Sequence, residues 1–477
     1  MVANKRGQRR NSFYKKSPAP FDVLMEPLVI PQGRPNTAAK WLVIRANGGL
    51  NQRLLRLKCL RSPRTLFKHT LILVPHTPMR ITHLRQRLHD LGAKPCHEDR
   101  LLRGWSQVCS YDRAHSAAEN FFPLALRNEL PAIEAELNGL ARLHGEYPAD
   151  DEVARLLVEL ADGQMVESVL LPRGGLCVST QVGCAVGCVF CMSGRNGLQR
   201  QLGSAEIVAQ VVLARKRRAV SKVVFMGMGE PAHNLDNVLE AIQLLGTQGN
   251  IGHKNLVLST VGDLRVFERL MDADYSSGSN PLQLPLVRGR VGSASPLKEQ
   301  LAIRLSCHKT TAKSLVMTRG GCEGLGREGE REKQSSIPAV KPALALSLHT
   351  TDAALRARLL PRAPQIAVEE LVERAEVYAR ATSYPVQYQW TLLEGINDSD
   401  AELERIAQLL SGKYAVMNFI PFNDVDGLAY RRPSAERIAF IAHTLNRQGI
   451  LARIRDSAGQ EIEGACGQLR ARAANAK

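Results

Sequence analysis

Residues 176–191 read LCVSTQVGCAVGCVFC, and this stretch decides how the 477-residue chain is interpreted. It places Cys184, Cys188 and Cys191 four and then three residues apart. Thiolates are the soft ligands that iron–sulfur clusters and zinc both prefer. A closed zinc site needs four ligands. Three neighbouring cysteines therefore favour a 4Fe–4S cluster with one iron left open, and zinc remains the alternative.

An open iron can chelate the amino and carboxylate groups of S-adenosylmethionine (SAM). The cluster can then pass one electron to the sulfonium, which cleaves into methionine and a 5′-deoxyadenosyl radical. The protein positions that radical and excludes water. The cysteine spacing thus predicts two cofactors, a 4Fe–4S cluster and SAM.

Outward from the cysteines, apolar runs alternate with helix-like segments. Six runs predict strands: LCVSTQV (176–182), KVVFMG (222–227), NLVLST (255–260), ALALSL (343–348), VQYQWTLL (386–393) and AVMNFIPF (415–422). Four segments between them predict helices: SAEIVAQVVLARKRR, LDNVLEAIQLLG, VEELVERAEVYARA and SDAELERIAQLL. Strands that alternate with helices form parallel sheets with right-handed crossovers. We expect an α/β fold, a partial (β/α)6 barrel, with its active site at the carboxyl ends of the strands.

Small and polar residues follow these runs, where the active site is expected. Gly227-Met228-Gly229-Glu230-Pro231 comes after the second run. Glycines at a strand end let the backbone approach a ligand closely, and the Glu230 carboxylate there can receive the SAM amino group. A lone residue such as His349 is more often an ordinary core histidine than a ligand, but several polar strand ends predict one shared pocket.

The motifs LCVSTQVGCAVGCVFC, VVFMGMGEP, LST, ALSLH, IPFN and GACGQL occur in this order. Over residues 160–270 and 341–470 the chain resembles the radical-SAM RNA adenine methyltransferases, the RlmN and Cfr group. The resemblance implies a radical-SAM barrel whose cluster is held by Cys184, Cys188 and Cys191. It also implies SAM contacts at Gly229, Glu230, Ser259, Ser347, Leu348, His349 and Asn423.

Two further cysteines, Cys177 and Cys466, would by themselves be interpreted as buried apolar residues. The resemblance implies instead that Cys466 accepts a methyl group from one SAM. The radical from a second SAM then abstracts hydrogen from that S-methyl group, and the methylene adds to adenine at carbon 2. Cys177 releases the adduct by forming a transient disulfide with Cys466. Glu167 matches the proton acceptor, although alone it would be taken for a surface residue on a strand.

The resemblance implies RNA, either rRNA or tRNA, as the substrate and an electron donor such as flavodoxin or ferredoxin as a partner. Methylation at carbon 8 of adenine is the neighbouring alternative and would use the same cysteines. A catalytically dead Fe–S RNA-binding protein is the alternative from another class. We expect a monomer.

The amino-acid composition changes along the chain and predicts four segments. Residues 1–78 hold 15 Lys and Arg against 2 Asp and Glu, and they predict a basic irregular extension, with Met79 as the expected native start. Residues 79–160 predict a small, mostly helical accessory domain, and 161–477 the radical-SAM core. Residues 271–340, rich in Gly, Ser and charge, predict a disordered insertion into that core.

The net charge of +17 is concentrated in the extension, where it suits either nonspecific phosphate binding or a solvated arm. No apolar run approaches the roughly 18 residues that a membrane helix needs. The sequence also lacks the pattern of a signal peptide at its N-terminus. A cytoplasmic location, without a membrane, is expected, and there a transient catalytic disulfide fits the reducing environment.

Overall fold

The computed structural model describes residues 77–112, 117–150, 152–272, 339–423 and 428–455. Nearly all of the predicted basic extension 1–78 and of the predicted insertion 271–340 lies outside these residues, as does Cys466. The helices are α1 Ile81–Asp90, α2 Pro95–Gln107, α3 Ala118–Phe121, α4 Leu124–Gly139, α5 Ser204–Arg215, α6 Leu235–Gly246, α7 Leu264–Met271, α8 Ala353–Leu359, α9 Val368–Thr382, α10 Asp400–Leu410 and α11 Ala435–Arg447. The strands are β1 Ala141–Asp150, β2 Val153–Leu160, β3 Met165–Leu171, β4 Gly175–Cys177, β5 Gln181–Gly183, β6 Leu198–Gln201, β7 Lys222–Phe225, β8 Leu256–Thr260, β9 Ala343–Ser347, β10 Val386–Leu392, β11 Ala415–Pro421 and β12 Ala452–Ile454.

Ten of these strands form one open sheet in the order β1-β2-β3-β4-β7-β8-β9-β10-β11-β12. The strands from β4 through β7 to β12 pair parallel with one another, whereas β1 pairs antiparallel with β2, β2 with β3, and β3 with β4. Strands β5 and β6 form a separate antiparallel ribbon beside the cysteines. The expected α/β fold with a partial barrel is confirmed, and the sheet is mixed.

The six predicted strands are all present, as β4, β7, β8, β9, β10 and β11. The four predicted helices are α5, α6, α9 and α10. The structure adds β12 at one edge and the antiparallel strands β1, β2 and β3 at the other. Because β2 pairs with β3 along its length, the sheet continues across the predicted domain boundary at residue 160, and that boundary stays a prediction.

The sheet is continuous on both sides of the predicted insertion. Val257 pairs with Ala343 and Thr260 with Leu346, so β8 and β9 are direct parallel neighbours. Helix α7 ends at Met271, just before the gap in the described residues. The segment between α7 and β9 therefore leaves the pairing of these two strands intact.

Helix α5 connects the N-terminal helices to the sheet. Its residues from Ser204 to Ala214 are all buried, and a helix that is apolar on every side must be covered on every side. Arg215 donates from Nη1 to the Ser106 carbonyl at the end of α2 (2.7 Å). The backbone N–H of Ile81 donates to Ser204 Oγ (2.8 Å). The mostly helical N-terminal region thus packs directly on the core.

Side-chain caps fix where the helices behind the sheet begin. Asp263, Asp352, Ser399 and Ser434 each accept a hydrogen bond from a backbone N–H in the first turn of α7, α8, α10 and α11. Each of these helices follows a strand end, so each cap also fixes the loop at the carboxyl edge of the sheet. Within the described residues, no helix is long and apolar enough to cross a membrane.

Candidate active site

A cavity of about 290 Å³ opens at the carboxyl edge of the parallel strands. Its walls combine residues from the cysteine loop with residues at or just after the carboxyl ends of β7, β8, β9, β10 and β11. Nine of the residues named from the sequence line it: Cys184, Cys188, Cys191, Gly229, Glu230, Ser259, Ser347, His349 and Asn423. The pocket predicted from the strand ends is therefore present and contains all three clustered cysteines.

The cysteine loop is held in an apolar setting. Cys184 is buried in a cluster with Val186, Val261 and Phe422, and Cys188 packs against that cluster. The backbone N–H of Val189 donates to the Leu359 carbonyl (3.1 Å), which ties the loop to α8. Such packing surrounds the thiols with apolar side chains.

The pKa of the Cys184 thiol is raised to about 11, mainly by burial and also by the negative charges of Glu230 and Cys191, while backbone hydrogen bonds from Val186 and Gly187 oppose the rise. Burial, followed by the charges of Cys191 and Cys184, also raises the pKa of Cys188 well above its ordinary value. The thiols are close enough to repel one another as anions. A metal would have to displace their protons and supply the missing positive charge.

The spacing of the thiols bears on which metal group they fit. Within the described ranges, no three His, Cys, Asp or Glu side chains converge closely enough to hold one metal ion. A tetrahedral zinc site needs four ligands around a single ion. In a 4Fe–4S cluster each thiolate binds a different iron. The three thiols supply three soft donors to one cavity, which is the number of protein ligands expected for a cluster with one iron left open.

The glycine-rich turn after β7 places Glu230 in the pocket. Gly229 has φ of 110°, a conformation that favours glycine, and a Cβ there would lie 2.6 Å from Thr180 Oγ1. Glu230 is buried, and its carboxylate accepts hydrogen bonds from the backbone N–H groups of Ala232 (3.1 Å) and Val261 (3.0 Å). Burial outweighs these bonds and raises the pKa of Glu230 to about 7. The carboxylate is thus fixed in direction and ready for a cationic partner such as an ammonium group.

His349 occupies the end of β9 in a strained backbone conformation. Its φ of 64° lies in the left-handed region, which is uncommon for histidine. Asn397 holds it there by donating from Nδ2 to the His349 carbonyl (2.7 Å). The backbone N–H of Thr391 donates to His349 Nδ1 (3.0 Å), so the ring proton sits on Nε2. Burial, and then the charge of Arg356, lowers the pKa of His349 to about 3, which keeps the imidazole neutral.

Leu348 differs from the other predicted SAM contacts. Its side chain is buried, and among the residues that line the described cavity Leu348 does not appear. Its backbone N–H donates to the Gln389 carbonyl (3.1 Å). Leu348 supports the pocket wall through the core, and its contact with SAM stays a prediction.

Cys177 is the last residue of β4. It is buried among Val169, Val224, Val257 and small alanines on the inner face of the sheet. No disulfide joins any two of the six cysteines in the described ranges. Because Cys466 lies outside those ranges, the pairing of Cys177 with Cys466 stays a prediction.

Glu167 is a core residue, not a surface one. It lies on β3, is 2% exposed, and forms an ion pair with Arg155 of β2, with Arg155 Nη1 3.2 Å from Glu167 Oε2. The Ser179 hydroxyl donates to the Glu167 backbone carbonyl (2.6 Å), which joins β3 to the segment just after Cys177. Val169 pairs with Cys177, and Glu167 lies two residues before Val169 on β3, so the side chains of Glu167 and Cys177 project from the same face of the sheet.

Arg356 is a site residue that sequence reasoning missed. It is buried in α8 and donates from Nη2 to the Val261 carbonyl. The charges of Cys188 and Glu230 act on its guanidinium, although burial lowers its pKa overall. A fixed positive charge behind the cysteines offsets the negative charge that thiolates bring. Its sequence context, DAALRARLL, is that of an ordinary amphipathic helix and carries no signal for this role.

Comparison with known proteins agrees with this geometry. Residues 178–279 match the model of the Radical SAM superfamily. The crystal structure of a radical SAM methyltransferase from Sphaerobacter thermophilus aligns with a TM-score of 0.58 and 28% identity, over 82% of this chain and 97% of that one. The fold and the site thus define a radical SAM enzyme, a class that implies SAM and an iron–sulfur cluster.

Two similar proteins identify the family within the radical SAM enzymes. A Leptothrix cholodnii protein described as a probable RNA methyltransferase is 58% identical over 394 residues, which cover 83% of this chain and 95% of the relative. A Pseudomonas aeruginosa protein with the same description is 57% identical over 397 residues, covering 83% and 96%. The chain belongs to this radical SAM family of probable RNA methyltransferases.

Proposed function

We propose that the protein methylates carbon 2 of an adenine in rRNA or tRNA through an S-methylcysteine intermediate, using two SAM molecules in each turnover. The observation that carries the proposal is the cavity at the strand ends. It brings the three clustered cysteines together with Glu230, His349 and Asn423. The printed descriptions of the relatives support RNA as the substrate.

Cys184, Cys188 and Cys191 hold the 4Fe–4S cluster in this proposal, and their apolar surroundings keep water from it. When bound, the cluster supplies the electron that cleaves SAM. The fixed Glu230 carboxylate receives the SAM ammonium, and the neutral His349 offers its Nε2 proton as a hydrogen-bond donor. Arg356 balances the charge of the thiolates.

The cysteine pair carries the methyl group. Cys466 accepts a methyl from one SAM, gives up a hydrogen atom from it to the 5′-deoxyadenosyl radical, and becomes linked to adenine through the remaining methylene. Glu167 takes the proton from the modified carbon. Cys177 then attacks the sulfur of Cys466, so that the carbon–sulfur bond breaks as the disulfide forms and the released carbon takes the Cys177 proton to become a methyl group. The unpaired electron of the adduct would return to the cluster held by Cys184, Cys188 and Cys191. That disulfide must be reduced before the next turnover.

An electron donor such as flavodoxin or ferredoxin, a cytoplasmic location and a monomeric state complete the proposal. They rest on the requirements of the reaction and on the resemblance. The unbroken pairing of β8 with β9 supports an active enzyme over a catalytically dead Fe–S protein, because the barrel wall survives next to the predicted insertion.

Mass spectrometry of nucleosides from rRNA and tRNA tests the proposal. Cells that contain the gene should yield 2-methyladenosine at a position that is unmodified when the gene is deleted, and a copy with Cys466→Ala should not restore it. An 8-methyladenosine product would show that the same cysteine chemistry acts at carbon 8 instead of carbon 2. An unchanged adenosine profile would contradict the proposed activity.

A further inference from the structure

The loop that carries the three clustered cysteines is closed at its base by the antiparallel ribbon of β5 and β6. Strand β5 ends directly before Cys184, and β6 begins at Leu198. Gln181 of β5 pairs with Gln201 of β6 in this ribbon. The two glutamines therefore lie opposite one another at the base of the cysteine loop.

The turn after β7 that contains Glu230 lies directly against this base. A Cβ at Gly229 would lie 2.8 Å from Gln181 Cβ, so the missing side chain of glycine allows the close approach. The Met228 carbonyl accepts hydrogen bonds from the backbone N–H groups of Thr180 (2.8 Å) and Gln181 (3.2 Å). The turn is thus tied to the base of the cysteine loop by its backbone.

The side chains of the two glutamines add a second connection, a closed ring of hydrogen bonds. The backbone N–H of Glu230 donates to Gln181 Oε1 (2.8 Å). Gln181 Nε2 donates to Gln201 Oε1 (2.8 Å), and Gln201 Nε2 donates to the His233 carbonyl (2.8 Å). The backbone N–H of His233 completes the ring by donating to the Glu230 carbonyl (3.0 Å).

The two ends of this chain of amides fix its direction. The backbone N–H of Glu230 needs an acceptor, and the backbone carbonyl of His233 needs a donor. Each glutamine amide offers one acceptor oxygen and one donor NH2 group, so one orientation of the two amides satisfies both ends. A carboxylate at either position could not donate, and a methionine of similar length could make neither bond. The arrangement therefore requires an amide at both positions.

Asn234 connects the same two segments one step farther along the ribbon. Its Nδ2 group donates to the carbonyls of Thr180 (2.8 Å) and Leu202 (2.7 Å), the residues that flank the two glutamines. Gln181 is 0% exposed and Asn234 is 5% exposed. A buried polar network whose members are paired holds one defined geometry. The turn and the base of the cysteine loop are thus held together as one unit.

We propose that Gln181 and Gln201 are positioning residues for SAM, which hold the Glu230 carboxylate in place relative to the cysteine loop. The carboxylate takes its direction from its own hydrogen bonds to Ala232 and Val261, and the glutamines fix where its backbone lies. They act through Glu230 and do not touch SAM themselves. This inference rests on the proposed function, because it takes Glu230 as the group that receives the SAM ammonium.

Two ligands that differ in the amino-acid group test this role by equilibrium dialysis with the anaerobic, cluster-loaded enzyme. S-adenosylhomocysteine keeps the amino and carboxylate groups of SAM, whereas 5′-methylthioadenosine lacks both. Gln181→Met and Gln201→Met should each raise the dissociation constant for S-adenosylhomocysteine by about tenfold. Both variants should bind 5′-methylthioadenosine like the wild type and keep its iron content. A general disruption of the pocket would weaken the binding of both ligands equally and contradict the positioning role.

Gln199→Met is the matched control. Gln199 lies on the same strand as Gln201, is exposed, and donates from Nε2 to the Asn196 carbonyl (2.7 Å) within the cysteine loop. This variant should bind both ligands like the wild type. Gln201 is half-buried, so its variant keeps the test valid if the substitution at the buried Gln181 impairs folding.

A double variant shows whether the glutamine acts through Glu230. Glu230→Gln should weaken S-adenosylhomocysteine binding, and Glu230→Gln/Gln181→Met should bind it no more weakly than Glu230→Gln alone. Additive losses would contradict the inference. If Glu230→Gln weakens binding while both methionine variants bind like Gln199→Met, the positioning role is wrong and the proposed function stands. Wild-type affinity in Glu230→Gln would instead contradict the role that the proposed function gives to Glu230.

Discussion

Arg155 and Glu167 form an ion pair in the core of the protein, with Nη1 3.2 Å from Oε2 and each side chain 2% exposed. Taking two charges out of water is costly, and apolar residues of similar size often replace such a pair without loss of stability. We therefore interpret the pair as functional, with Arg155 fixing the carboxylate that is proposed to accept a proton.

Breaking this pair should affect stability and activity separately. Arg155→Met removes the Arg155 charge that faces the buried Glu167 carboxylate and should lower the free energy of unfolding by about 3–5 kcal/mol in denaturant titrations. The double variant Arg155→Met/Glu167→Leu should recover most of that stability and yet not methylate RNA. Glu206→Gln, which breaks the buried pair with Arg200, is the control and should keep turnover per folded molecule. Normal methylation by the double variant would show that Glu167 is not the proton acceptor.

A methyl group at Gly229 should weaken SAM binding. The Cβ of Gly229→Ala would lie 2.6 Å from Thr180 Oγ1 and 2.8 Å from Gln181 Cβ, in a backbone conformation with φ of 110°. The turn must shift, and Glu230 with it, so the dissociation constant for SAM should rise by about tenfold or more, equivalent to at least ~1.4 kcal/mol.

Equilibrium dialysis with SAM measures the effect, and Gly252→Ala is its control. At Gly252 φ is −57° and the nearest atom to an added Cβ is 3.8 Å away. That variant should bind SAM like the wild type. Equal SAM affinity in the two alanine variants would contradict the placement of the SAM site at Gly229.

Iron analysis tests the cysteine loop. Anaerobically purified protein should be brown and contain about four irons per chain. Changing Cys184, Cys188 or Cys191 to Ala should abolish the colour, because each thiolate is expected to bind a different iron. Cys177→Ala should retain it. Stoichiometric zinc without iron would overturn the cluster assignment.

Much of the fold could be predicted because buried parallel strands appear in the sequence as continuous apolar runs. The carboxyl ends of such strands share one edge, so residues that are distant in sequence, such as Glu230 and Asn423, could be assigned to one pocket. Strand β12 has only three residues, two of them exposed, and such a short run gives no periodicity. That β1 and β2 extend the central sheet depends on tertiary pairing, which no local pattern records.

The site residues that the sequence did not reveal were missed for a physical reason. Arg155 and Arg356 are both buried, but arginine is mostly an exposed residue, and nothing in the neighbouring sequence marks a buried one. The left-handed conformation of His349 is imposed by Asn397, 48 residues away. Such long-range constraints become visible only in the folded chain.

Substitution of Cys466 and substitution of Cys177 should stop the reaction at two different steps. Cys466→Ala should bind the cluster but not start the reaction, because no methyl carrier can form. Cys177→Ala should stop later, with RNA covalently attached through Cys466 because no thiol releases it. A gel shift that survives denaturant, in Cys177→Ala but not in the double variant, is the expected sign. Normal turnover by Cys177→Ala would exclude the proposed release step.

The central claim, methyl transfer through a cysteine-bound methylene, is tested most directly with SAM that carries a CD3 methyl group. Over many turnovers the purified enzyme should give methyladenosine with two deuterium atoms in its new methyl group. The third deuterium should appear in 5′-deoxyadenosine, because the radical removes one hydrogen from the S-methyl of Cys466. A methyl group that keeps all three deuterium atoms, with none in 5′-deoxyadenosine, would show direct transfer from SAM and contradict the account.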